Sequence, residues 1–171
     1  INFKCKLISI LSLDHQDMTD IYGLSKDELI DHSVALTLVL PDEYRKSLSL
    51  MNIVRCVVET GDDDKAIEIA GRIPDEFIKS LSLMDIVKVV LGKKDVNKAK
   101  QALELITDET IKPNCLIEIA KVLVDNVDFA QAEYMCDQAI ALAVRTSNEQ
   151  VKSACSRDVV KVLLEIGNFT K

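Results

Sequence analysis

Four cations stand at matched positions along this chain: Arg55, Lys88, Lys121 and Lys161. The first three are evenly spaced, and the fourth follows after a longer interval. Three residues before each stands a polar or acidic side chain: Asn52, Asp85, Glu118 and Asp158. Guanidinium and ammonium groups in a row can hold carboxylates through charge-assisted hydrogen bonds. The same residue types at i and i+3 also pair with one another on a solvated helix face, an interaction of only about 0.2–0.5 kcal/mol per pair. The sequence leaves both readings open.

Other residues with chemical potential point to bland roles. Asp62-Asp63-Asp64 lacks the alternating oxygen ligands and the closing Glu of a calcium loop, so it reads as a helix cap in a solvated turn. His15 and His32 have no Cys or His at ligand spacing and read as surface residues. Of the five cysteines, Cys5, Cys56, Cys115, Cys136 and Cys155, no two form a CxxC pair. Four of them lie in apolar helical patterns, where Cys acts as a small hydrophobe. Cys115 and Cys155 occupy the position held by Ser49 and Ser82 in earlier copies, which marks a packing position. An odd count without paired spacing implies reduced thiols and a cytoplasmic protein. The five glycines are isolated and form no phosphate loop, and no Ser/His/Asp signature is present. The expectation is a non-catalytic protein with no cofactor and no metal.

The elements that position these residues come from an internal duplication. Residues 40–54 read LPDEYRKSLSLMNIV and residues 73–87 read IPDEFIKSLSLMDIV, with a more diverged third copy from Ile106. The shift carries Pro41 onto Pro74. It falls within the fixed periods of roughly 20–50 residues that signal stacked supersecondary units. In the middle copy, Pro74-Asp75-Glu76 opens a helix, because Pro suits a first turn and acids favour the positive helix end. Apolar residues at spacings of three and four run from Phe77 to Leu91, giving helix A, and Gly92-Lys93-Lys94 ends it. Asp95 is placed to cap helix B, which carries Ala99, Ala102, Leu103 and Ile106. The cap position reads Asp62, Asp95 and Asp128, with Asn168 expected for a further unit. The small position four residues on reads Ala66, Ala99 and Ala132.

The third helix B runs on from Phe129, and the next helix A (Val159 to Leu164) comes later than the period demands. The excess is about two helical turns. Upstream, residues 27–40 fit a helix B and residues 3–13 a helix A, with residues 14–24 as an insertion or a short irregular helix. The reading is therefore one helical domain over residues 1–171. It has an irregular unit 1–40, repeats 41–73, 74–106 and 107–146, and a partial unit 147–171, and is expected to be a fragment of a longer array.

Composition sets the outer bounds. Apolar residues make up 48% of the chain, enough to fill stacked seams and to argue against disorder. The formal net charge of -7 opposes phosphate backbone, so nucleic acid is not expected as partner. No apolar run reaches the roughly 18 residues of a membrane span, and the stretch Leu7–Leu13 has no cleavage site after it. The sequon at Asn168 is read as chance.

Gly61-Asp62-x-x-Lys65-Ala66 with Ala70, and Phe129-x-x-Ala132-x-x-x-Cys136-x-x-Ala139 followed by Gly167-Asn168-Phe169, resemble the tetratricopeptide repeat family. The resemblance covers residues 40–171. It departs at the family's helix-A Trp, which is Leu50, Leu83 and Leu116 here, and in a period one residue short. It implies an all-α fold, a right-handed α-solenoid of stacked antiparallel helix pairs with a period of about 33 residues. It also implies a protein- or peptide-binding scaffold whose helix-A groove holds the partner. Arg55, Lys88, Lys121 and Lys161 would then grip an acidic or C-terminal peptide. The competing expectations are a structural module that self-associates through open solenoid ends as a homodimer, and a helical accessory domain of a larger protein.

Overall fold

The computed structural model describes residues 25–169. The expected N-terminal helix, the insertion, Cys5 and His15 lie outside them. Among the described residues there are eight helices and no strand: α1 (Lys26–Leu38), α2 (Glu43–Thr60), α3 (Asp63–Gly71), α4 (Glu76–Gly92), α5 (Val96–Glu104), α6 (Lys112–Asp125), α7 (Phe129–Arg145) and α8 (Glu149–Phe169). The protein is all-α. The described residues divide into two compact units, 25–82 and 83–169.

In the first unit α1 begins with a capping box. The Ser25 hydroxyl accepts from Glu28 N–H and the Glu28 carboxylate accepts from Ser25 N–H, at 3.2 and 2.7 Å. The central helix α2 packs against α1 and α3. It buries Leu50, Ile53, Val54 and Val57, and α3 buries Ala66, Ile69 and Ala70. Lys65 of α3 reaches α1, with Asp31 at 3.0 Å and Asp27 at 3.5 Å. Partial burial opposes its charge, but the two carboxylates outweigh that and raise its pKa. Ser47 Oγ donates to Glu43 O at 2.8 Å and accepts from Asp75 N–H at 3.1 Å, fixing the approach to α4.

In the second unit α6 packs against α5, α7 and α8, and α7 packs against α8. Leu83, Ile86, Val87 and Val90 of α4 are fully buried, as are Ile119 and Ala120 of α6. The Phe129 and Phe169 rings meet at 5.7 Å and hold the end of α8 against the start of α7.

The connections after α2, α4 and α6 share one construction. Each contains a residue with positive φ immediately before an aspartate: Gly61 at 88°, Lys94 at 61° and Val127 at 62°. The left-handed residue turns the chain out of one helix. The aspartates Asp62, Asp95 and Asp128 then cap the next by accepting from Lys65, Lys98 and Gln131 N–H. Asp95 N–H reaches back to Val90 O at 3.0 Å, and Asp128 N–H to Leu123 O at 2.9 Å, the long bond of a Schellman motif. One aspartate thus closes the outgoing helix with its backbone and opens the incoming one with its side chain.

A second set of side-chain acceptors precedes α2, α4, α6 and α8. Asp42, Asp75 and Asn148 stand just before α2, α4 and α8 and accept from the N–H of Arg45, Ile78 and Val151 at 2.9, 2.9 and 3.2 Å, while Asp108 accepts from Ile111 N–H at 3.0 Å in the turn ahead of α6, whose N-cap Ile111 makes no side-chain cap bond. Their spacing follows that of the cation column, even for the first three and longer before the fourth. This corrects the role of Pro41 and Pro74. They precede the cap instead of occupying the first turn, because Asp supplies an acceptor to the free N–H groups and Pro supplies none. Two further expectations are also revised. Asn168 caps nothing, since α8 continues through Gly167 to Phe169. Phe77 lies 54% exposed and outside the core.

Val127 is β-branched, and such a side chain is strained at positive φ by about 1–2 kcal/mol. Val127→Gly should therefore raise stability by about 1 kcal/mol. Gly61→Ala should lower it by a similar amount. An added Cβ at Gly61 meets nothing within 4 Å, so backbone conformation alone sets that cost. Urea unfolding midpoints at unchanged m-value check both signs.

Candidate functional site

The second unit carries an open cleft of about 220 Å³. Three A helices line it. Met84, Val87 and Lys88 come from α4, Asn114, Cys115, Ile117 and Glu118 from α6, and Asp158 from α8. Val87, Cys115 and Ile117 are buried and form an apolar floor. Lys88, Glu118 and Asp158 supply charge at its edge.

The caps explain why these residues converge. Asp108 holds the turn that leads into α6 by accepting from Thr110 and Ile111 through one carboxylate oxygen. Asn148 does the same for α8, accepting from Gln150 and Val151 N–H. Glu118 stands as far beyond Asp108 as Asp158 does beyond Asn148.

The structure separates the four candidate cations. Lys88 lines the cleft. Lys121 pairs with Glu118 at 2.7 Å and Lys161 with Asp158 at 2.9 Å, both at i,i+3. Arg157 joins Asp158 at 3.3 Å. The hydrogen bond from Lys161, reinforced by Arg157, holds the Asp158 carboxyl below its usual range. Arg55 is an exposed residue of α2 in the first unit. The local ion pair, one of the two readings of this column, is thus realised at Lys121 and Lys161.

The cysteine at the cleft floor is buried. Burial pushes the Cys115 thiol up to about 12, so at neutral pH it is protonated. Burial also raises Cys136, to about 11, and Cys155. These three and Cys56 are buried. Asp62 caps α3, and Asp63 of the same triplet is buried in that helix's first turn. His32 is exposed, with Nδ1 2.7 Å from Glu28 O.

Reading the sequence for cations alone passed over Met84, Asn114 and the acidic position as cleft residues. The signal was present: Glu118 and Asp158 sit in the column three residues before the cations, and Asn114 replaces the Leu48 and Leu81 of earlier copies. Comparison with family models, with curated proteins and with solved structures finds no match to this chain.

A lowered carboxyl pKa contributes stability above the unfolded pKa, and that contribution disappears as pH falls through the folded value. Asp158→Asn should therefore lower the unfolding midpoint at about pH 7, and the difference should shrink as pH falls below the ordinary carboxyl range towards about pH 3. The loss at neutral pH should not exceed about 1 kcal/mol, because the pair is partly solvated. Urea titrations of the two proteins at both pH values give the comparison.

Proposed function

We propose that this chain is a non-catalytic helical-repeat scaffold that binds a protein or peptide segment in the cleft of its second unit. The observation that carries the reading is the cleft itself. It is built from three successive A helices, floored by Val87, Cys115 and Ile117, and edged by Lys88, Glu118 and Asp158. An apolar floor with a few convergent polar groups is the usual character of a binding site. Both cap sets recur at one common interval, stretched only after the lengthened α7. That regularity supports reading the units as stacked repeats of α-solenoid type.

The edge chemistry specifies the segment. The Lys88 ammonium can take a carboxylate of the partner. Lys121 and Lys161 each have a carboxylate on their own helix, so a row of four cations gripping a polyacidic peptide has less support. The fitting segment places an apolar side chain in the cleft with an acidic group beside α4.

Selection of binders from a displayed peptide library tests the reading. Lys88→Glu and Met84→Gln should each weaken most selected peptides at least tenfold, about 1.4 kcal/mol, with helix content unchanged by circular dichroism. If binders keep their affinity for both variants, the cleft is not the site.

A further inference from the structure

The charges of the second-unit cleft are sorted by helix. The lining cation, Lys88, comes from α4, and the two lining carboxylates, Glu118 and Asp158, come from α6 and α8. Both carboxylates are held by a lysine of their own helix. Lys121 donates to Oε1 of Glu118 at 2.7 Å, and Lys161 to Oδ1 of Asp158 at 2.9 Å. Arg157 donates to that same Oδ1 at 3.3 Å. These bonds do not exhaust the carboxylates, because each has two oxygens and about four acceptor sites. The side chains remain reachable, Glu118 at 46% and Asp158 at 29% exposure. The local pair is also too weak to withhold them: an i,i+3 pair between solvated partners contributes only about 0.2–0.5 kcal/mol. Its effect is to hold each carboxylate in one place, and Asp158 is kept ionised below the usual carboxyl range.

We propose that Glu118 and Asp158 take a basic side chain of the bound segment, so that the cleft selects a polypeptide segment carrying an acid, an apolar residue and a Lys or Arg in that order from α4 to α8. This rests on the cleft reading above and extends it from one charge to a dipolar pattern. Charge complementarity carries the step. A segment that covers the cleft takes water from both carboxylates, and a desolvated carboxylate given no new donor costs free energy. An apolar residue at α6 and α8 would carry that cost in full, and a second acid would add repulsion. A base offsets it. Arg fits best, because its planar fork can donate to two carboxylates at once. Asn114, which also lines the cleft, can both donate to and accept from the segment's backbone. Packed helices lie about 8–10 Å apart, and an extended chain advances about 3.3 Å per residue. One or two helix spacings therefore put the acid and the base about three to six residues apart.

The probes are synthetic peptides copied from library binders that depend on Met84 and Lys88. Each should carry Lys or Arg within about six residues of an acid. Replacing that base with Ala should weaken binding to the native protein about fivefold, the scale of a partly solvated charge pair. Against Glu118→Gln or Asp158→Asn the same peptide change should cost little, because the partner of the base is already lost. This coupling separates recognition from damage to the fold: a distorted variant weakens the parent and Ala peptides alike and leaves their ratio as it was. The proposal is overturned if the Ala peptides bind the native protein as tightly as their parents. It is overturned equally if the ratio is the same for the native protein and both variants. In either case, binders that still depend on Met84 and Lys88 leave the cleft reading standing, and only loss of that dependence removes both.

Discussion

A helix that ends and another that begins within three residues must satisfy two sets of orphaned backbone groups at once: the last carbonyls of the first and the first N–H groups of the second. The rest of this fold depends on how that is done. A residue forced to positive φ brings the following N–H back onto the outgoing helix, and the side chain of that same following residue is an aspartate carboxylate facing the incoming one. With so few residues in the connection, the two helices lie side by side. The cap also sets the rotation of helix B, so the alanine four residues later is carried into the seam and is fully buried. The local geometry dictates the packing.

The strength of that constraint is visible in its most awkward instance. Val127 is a poor residue for the left-handed region, and Lys94 only a tolerable one. Both are held there because the Schellman bond and the aspartate cap act on each side of them, and each such cap is worth about 1 kcal/mol. Tertiary packing adds to this. Leu123 and Val124, just before the turn, are buried, so any other path out of α6 would expose them.

These particulars mark what the sequence could reveal. Asp62, Asp95 and Asp128 are legible as caps because residue type, position and helical pattern agree. The caps of the A helices were half legible: the Pro-Asp-Glu junction draws attention to its proline, yet the aspartate makes the bond. Val127 was not legible, because its side chain argues against the conformation its neighbours impose. Exposure of Val160 and Leu163 was hidden for a different reason. Their periodicity matches that of buried counterparts, and burial depends on a neighbouring helix, which no local pattern encodes. The cation column had two chemically sound readings, and only distances could assign Lys121 and Lys161 to ion pairs.

The helix α6 has three duties, and the copies treat them unequally. It packs against α7, it packs against α8, and through Asn114, Cys115, Ile117 and Glu118 it lines the cleft. Identity between the first two copies concentrates on the apolar positions and the caps, which serve the first two duties. Met84 and Val87 of the cleft are shared with the earlier copy, and the third copy diverges at three lining positions: Asn114 stands where Leu48 and Leu81 stood, Ile117 where Met51 and Met84 stood, and Cys115 where Ser49 and Ser82 stood. Substitution at such positions changes what the surface offers without disturbing helix ends or seams, because none of them takes part in a cap. A fold whose geometry is set by its turns is therefore free to vary its cleft from one helix pair to the next. The second unit gains a distinct floor and edge in this way from helices whose phase its caps have already fixed.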